Sequence, residues 1–243
     1  MKTLLKTANK TLLSSLLLGS TLIAFEQNAV AGAVDDPLLL KLNIDKFEKR
    51  SGDSDSYVFE SQAWVGFDLN KLLIKTGVER VNGTNESAKI ELLYSRAISP
   101  YWDLQMGVRH DFDPQPERSW AVIGLQGLSP YNVNIDTALY FSKSGRTQLS
   151  IAAEYEQMIT QRLALIPEAE FSFYGQSDDA AETGAGFAKS ELSLRLAYEV
   201  KREFSPYIGV VHEATHGKTK RMAKQEGEST SDTKVVVGIQ AWF

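Results

Sequence analysis

The sequence predicts an all-β fold, a transmembrane antiparallel up-and-down β-barrel of about twelve strands, and three observations carry that prediction. The last dozen residues, DTKVVVGIQAWF, place Val235, Val237, Ile239, Ala241 and Phe243 on one face of an extended strand and Lys234, Val236, Gly238, Gln240 and Trp242 on the other. With the strand ending at that aromatic residue, its apolar face is expected to meet lipid, where a strand can satisfy its backbone only inside a closed barrel. The same alternation recurs from Leu38 onward. Finally, the connections fall into two sets, short turns with Pro or Asn alternating with mostly longer charged loops, as the two ends of an outer-membrane barrel require. A soluble sandwich also alternates, but does not sort its connections in this way.

Taken in order, Leu38, Leu40, Leu42 and Ile44 oppose Lys41, Asn43 and Asp45, and a polar loop covers residues 50–56. Tyr57, Phe59, Ala63, Val65, Phe67 and Leu69 oppose Glu60, Gln62, Trp64, Gly66 and Asp68, ahead of a tight turn at 68–71. Leu72, Ile74 and Val78 oppose Lys75, Gly77 and Glu79; beyond a polar loop at 82–87, Ile90, Leu92 and Tyr94 oppose Lys89, Glu91 and Ser95. A second turn at 99–102 supplies Tyr101 and Trp102 for a membrane interface. Leu104, Met106 and Val108 oppose Asp103, Gln105, Gly107 and Arg109, followed by a charged loop at 110–117. Ala121, Ile123 and Leu125 lead to a third turn at 129–131, after which Val133, Ile135, Leu139 and Phe141 oppose Asn134, Asp136 and Tyr140. Leu149, Ile151, Ala153 and Tyr155 oppose Gln148, Ser150, Glu154 and Glu156, with a fourth turn near Thr160. Leu163, Leu165, Phe171 and Phe173 oppose Glu168, Glu170 and Ser172 before a long loop at 175–189. Leu192, Leu194, Leu196 and Tyr198 oppose Glu191, Ser193, Arg195 and Glu199, the chain turns at 202–206, and Ile208 and Val210 oppose Tyr207, Gly209 and Val211. A charged loop then runs to about residue 231.

Residues 1–31 are expected to be a signal peptide: Lys2, Lys6 and Lys10 precede a mostly apolar run over 12–23, and Ala29-Val30-Ala31 offers small residues for cleavage. Ser14, Ser15, Gly19, Ser20 and Glu26 interrupt that run, which falls short of the roughly 20 apolar residues of a spanning helix. Residues 32–37 then form a short periplasmic segment and residues 38–243 the barrel. The net charge of −5 becomes −7 once the segment's three lysines and one glutamate are removed, which argues against nucleic acid as a partner. No cysteine is present, so disulfides and thiolate metal sites are excluded. Mean hydropathy slightly below zero suits a barrel, in which only alternate strand residues meet lipid.

Several stretches resemble the copper-resistance protein B family of outer-membrane proteins. They are LYSRAISPYWDLQMGVRHD at 93–111, WAVIGLQGLSPY at 120–131, GRT at 145–147, AEY at 153–155, TQRL at 160–163, REFSPYIGV at 202–210, and TSDT at 230–233 leading to the terminal AWF. The resemblance covers nearly all of the mature chain. It implies a role in copper tolerance at the outer membrane, as a channel or binding protein acting with periplasmic copper-binding proteins; the oxidation state of the copper ion is left open. Many members carry a Met- and His-rich segment ahead of the barrel, where this chain has only residues 32–37, so the soft-ligand reservoir suited to Cu(I) is expected to be missing.

Candidate copper ligands are His110, Asp111 and Asp113 where a strand meets an outer loop, and His212 with Glu213 in a similar place; the alternative is a solvated loop mouth. Glu168 and Glu170, on adjacent inward positions, form the preferred carboxylate pair within a polar face that also carries Glu60, Glu79, Glu91, Asp103, Asp136, Glu154, Glu156 and Glu191. If that face lines the lumen, it either attracts cations or plugs the barrel with its own salt bridges. His212-Glu-Ala-Thr-His216 matches the H-E-x-x-H pattern, but residues four apart lie about 6 Å apart on a helix and about 13 Å on a strand. The expected protein is therefore not an enzyme and has no catalytic residues. A general small-solute porin is the transport alternative. An outer-membrane lipid hydrolase is the enzymatic one, needing a serine beside a histidine on the lipid-facing side.

Overall fold

The computed structural model describes residues 36–52 and 55–243, so the expected signal peptide and most of the short segment after it lie outside the described residues. The strands are β1 (Leu39–Ser51), β2 (Ser56–Gly66), β3 (Asn70–Val81), β4 (Thr84–Ser99), β5 (Trp102–Asp113), β6 (Arg118–Ser129), β7 (Val133–Ser142), β8 (Thr147–Tyr155), β9 (Gln157–Met158), β10 (Leu163–Tyr174), β11 (Gly186–Tyr198), β12 (Phe204–Thr215) and β13 (Ser231–Trp242). The two-residue β9 continues β8 past Glu156 and pairs with the same neighbour, β10. Twelve antiparallel staves result, and pairing of β13 with β1 and β10 with β11 completes the ring. Among the described residues each of the twelve staves has a neighbour on both sides, which is what a strand in hydrocarbon demands.

Alternation decides the two faces. Val237 is 58% exposed on the outside while its neighbour Val236 is fully buried inside. Leu72, Ile74, Leu92, Val108, Leu192, Leu194, Ile208 and Val210 are exposed on the same outer belt. Exposed Phe67, Tyr94, Tyr101, Tyr131, Tyr198 and Phe243 gather at the short-turn end, and Tyr57, Phe112 and Phe141 toward the loop end, giving the two aromatic girdles of a membrane barrel. The inward face is not uniformly polar as the alternation suggests: Leu73, Leu93, Trp120, Val122, Ala138 and Tyr140 pack into one cluster inside the barrel. Ala164, Ile166, Ala197, Tyr207, Val211 and Val236 form a second.

The loop end differs from the expectation in four places. The expected loop at 82–87 is a two-residue hairpin turn, Asn82 and Gly83, both with positive φ (49° and 86°), as a type I′ turn requires. Arg50 is not in a loop: β1 runs on to Ser51 and buries it. Likewise β5 extends through Asp113, so His110 and Asp111 are strand residues. The final loop holds helix α1 (Gly217–Glu226), whose Thr219 and Ala223 are buried. Strands of 12 to 16 residues exceed the roughly 9–11 that cross the hydrocarbon. Their loop-side ends therefore stand above it and take up residues that read as loop.

Residues 175–185, between β10 and β11, fold back over the loop-side mouth. Asp178 accepts hydrogen bonds from Arg118 Nε at 2.8 Å and pairs with Arg146 at 3.2 Å, and the Gly184 N–H donates to Thr219 Oγ1 of α1 at 2.9 Å. Burial alone would raise the Asp178 carboxyl, but the hydrogen bond from Arg118 and the charges of Arg118 and Arg146 outweigh it and hold it below the ordinary aspartate range. A depressed folded-state pKa gives stability above the unfolded value that is lost as pH falls. A spin label at Glu182→Cys should thus give a restrained line at neutral pH that sharpens as pH drops below about 4. A line at neutral pH left unchanged by Asp178→Asn would show that this carboxylate does not hold the segment.

Candidate functional site

The lumen is the candidate site, and its first feature comes from a backbone irregularity. β1 slips register against both neighbours around Asp45, so Asp45 and Lys46 both enter the lumen and every later residue of the strand changes face. Lys46, Glu48 and Arg50 are consequently inward and buried, while Phe47 lies outside.

These residues anchor a chain of ion pairs. Arg50 donates from Nε to Glu48 at 2.7 Å, from Nη1 to Glu213 at 2.6 Å, and through Nη1 and Nη2 to Glu191 at 2.9 and 3.0 Å. Glu48 also accepts from Arg195 Nε at 3.1 Å and from the Tyr207 hydroxyl at 2.8 Å. Arg195 in turn donates to Glu168, and Lys46 Nζ sits 2.9 Å from Glu168, 3.0 Å from Glu170 and 3.3 Å from Glu60. Lys234 reaches Glu213 at 2.9 Å. Across the lumen, Asp111 pairs with Arg109 and accepts the Trp120 indole N–H at 2.8 Å, and Tyr140 donates to Glu91 at 3.2 Å.

Beside this network, on its short-turn side, lies a chamber of about 680 Å³. Its wall carries seven carboxylates (Asp45, Glu60, Glu91, Asp136, Glu154, Glu168, Glu170) against five cationic side chains (Lys41, Lys46, Lys75, Lys89, Arg195), which leaves it net negative. Lys75 pairs with Asp136 at 2.7 Å. Asp45 and Glu154 enter no ion pair or side-chain hydrogen bond among the described residues, and Asn43 Oδ1 is buried without a donor. The wall includes no His, Met or Cys among the described residues, so its donors are oxygen and amine.

The expected ligand residues separate by face. Glu168 and Glu170 do converge, yet on Lys46, which offsets their charge. His110 points outward to Ser119 (2.9 Å) and Glu117 (3.3 Å) whereas Asp111 points inward, so the two cannot share one ion; Asp113 ends β5 on the inward parity. His212 and Glu213 divide the same way, His212 bonding Thr233 outside at 2.8 Å and Glu213 meeting Arg50 and Lys234 inside. His212 lies in β12 and His216 just past its end, so the H-E-x-x-H residues are not on a helical turn. A serine does stand beside a histidine, Ser190 Oγ 2.8 Å from His216 Nε2 with the imidazole stacked 4.2 Å from Phe187. His216 Nδ1 meets no orienting carboxylate among the described residues, so the pair lacks the third group that activates such a serine. Glu48 and Arg50 were missed from the sequence; the charged alternation Lys46, Glu48, Arg50 around Phe47 was the available signal.

Residues 38–243 match the family described as copper resistance protein B precursor (CopB). The chain belongs to this family. A copper resistance protein B of Escherichia coli is 40% identical over 201 residues, spanning 82% of this chain and 68% of that protein. A copper resistance protein B homolog of Pseudomonas syringae pv. tomato is 34% identical over 200 residues, with the same coverage of 82% and 68%. Among solved structures, the NanC porin in a rhombohedral crystal form aligns over 84% of this chain and 99% of its own at a TM-score of 0.55 and 14% identity. The KdgM porin aligns over 84% and 99% at a TM-score of 0.50 and 12% identity. At such identities the likeness speaks for the fold, a twelve-stave outer-membrane barrel. Family and fold together place this copper resistance protein B relative in the outer membrane.

Proposed function

We propose that this family member acts in copper resistance by holding copper ions in the acidic chamber of its lumen or passing them through it, without catalysing a reaction. The observation carrying the reading is the pair of chamber carboxylates, Asp45 and Glu154, that enter no ion pair or side-chain hydrogen bond among the described residues. Asn43 Oδ1 adds an acceptor without a donor on the same wall. An oxygen-rich wall without sulfur or imidazole favours Cu(II) over Cu(I), which prefers thioether and thiolate. Periplasmic copper-binding proteins remain the partners this role calls for.

The test is copper titration of the purified barrel in detergent. Asp45→Asn combined with Glu154→Gln should weaken Cu(II) binding at least tenfold, about 1.4 kcal/mol. His110→Ala and His212→Ala, on the outer face, should titrate like wild type. Equal binding by the double variant would end the chamber reading, and loss in His110→Ala would move the site to the outer face of β5, where His110 lies beside Glu117. A sugar that displaced copper or blocked current would favour the small-solute porin.

A further inference from the structure

We infer that the chamber is a dead-end receptacle for hydrated cations, filled and emptied from the periplasmic side alone, rather than a segment of an open pore. The two halves of the lumen differ in kind. Toward the loop ends of their strands, inward-facing Ser56, Val58, Trp120, Val211 and Val236 and the guanidinium of Arg50 are all 5% exposed or less. Among the described residues they pack tightly around the Glu48–Arg50–Arg195 ion pairs, and residues 175–185 are tied across that end through Asp178, Arg118 and Thr219. Toward the turn ends the inward side chains meet solvent: Asn134 is exposed and the Asp136 side chain is 37% exposed, and Asp45, midway along β1, is exposed as well. The chamber wall reaches that end at Lys41, Gln126, Asn134, Glu154 and Gln240. Short turns and both strand termini of the ring lie there, and in outer-membrane barrels that end faces the periplasm.

A buried plug of charged groups is a stable closure. Each of the two arginines is held by two or more carboxylates, so neither is left as an unpaired buried charge. The chamber's net negative wall then has one exchange route, and a cation entering it from the periplasm is retained. Only the identity of the cation rests on the copper reading above.

The protein has no cysteine, so single thiols report access cleanly. Cells producing Asn134→Cys or, in case that variant fails to assemble, Gln126→Cys would be treated with a maleimide too large for general porins, either intact or after lysis. Ser144→Cys, exposed in the loop between β7 and β8, marks the outer surface. Chamber thiols should label at least tenfold faster after lysis, and Ser144→Cys equally in both. Labelling of the chamber in intact cells at the Ser144→Cys rate would overturn the one-sided access while leaving copper binding intact. Periplasm-only labelling with no Cu(II) retained in the titration would do the opposite, keeping the receptacle and removing copper as its cargo.

Discussion

Arg195→Met should cost about 3–5 kcal/mol of stability, the range for breaking a buried ion pair by removing one partner. Arg195 is 1% exposed and holds two carboxylates from different strands, Glu48 of β1 and Glu168 of β10. Without it Glu168 keeps Lys46 and Glu48 keeps Arg50 and Tyr207, but both carry charge that was arranged around a fork now gone. Arg195→Lys restores the charge and not the bidentate geometry, so it should fall between. Glu48→Gln in the Arg195→Met background should recover part of the loss, because it removes one of the carboxylates left in excess around Arg50 once Arg195 is gone. Urea unfolding of the barrel in lipid vesicles, followed by tryptophan fluorescence, reads all three. An Arg195→Met curve superimposing on wild type would mean that the network is solvated and closes nothing.

Val237→Arg tests the other face. Midway along β13, Val237 is 58% exposed, and in water an arginine at such a position would change stability by no more than about 0.5 kcal/mol. In hydrocarbon the same change should cost about 2–4 kcal/mol near the bilayer midplane. Val237→Leu should be close to neutral in either setting. Folding titrations in vesicles decide between the two, and a Val237→Arg protein as stable as Val237→Leu would leave the outer belt without its lipid.

The positions of the turns, the number of staves and the lipid-facing residues were legible because a strand's side-chain period of two is a local property, set by backbone geometry alone. The interruption at Asp45 was not, since a bulge is recognised by its partner strands: the slip appears only where β1 meets β2 and β13. Missing it placed Arg50 in a loop and hid Glu48. Helix α1 and the extended ends of β1 and β5 read as charged loop because, above the membrane, polar residues carry no facial signal. The division of His110 from Asp111 follows directly once both are assigned to a strand, as adjacent residues there point opposite ways.

The candidate site divides along the same line. That Glu168 and Glu170 share a face, and that the inward face is rich in carboxylates, was plain from one-dimensional spacing. That Lys46, 124 residues from Glu170, lies between the two carboxylates required the closed ring, which brings β1 within reach of β10 across the lumen. Lipid selects the outside of a barrel residue by residue, so the chain records it in order. Several charges inside are matched between strands far apart in sequence, and so the carboxylates of the chamber wall left without an ion pair or side-chain hydrogen bond among the described residues, Asp45 and Glu154, emerge only once those pairings in space have been made.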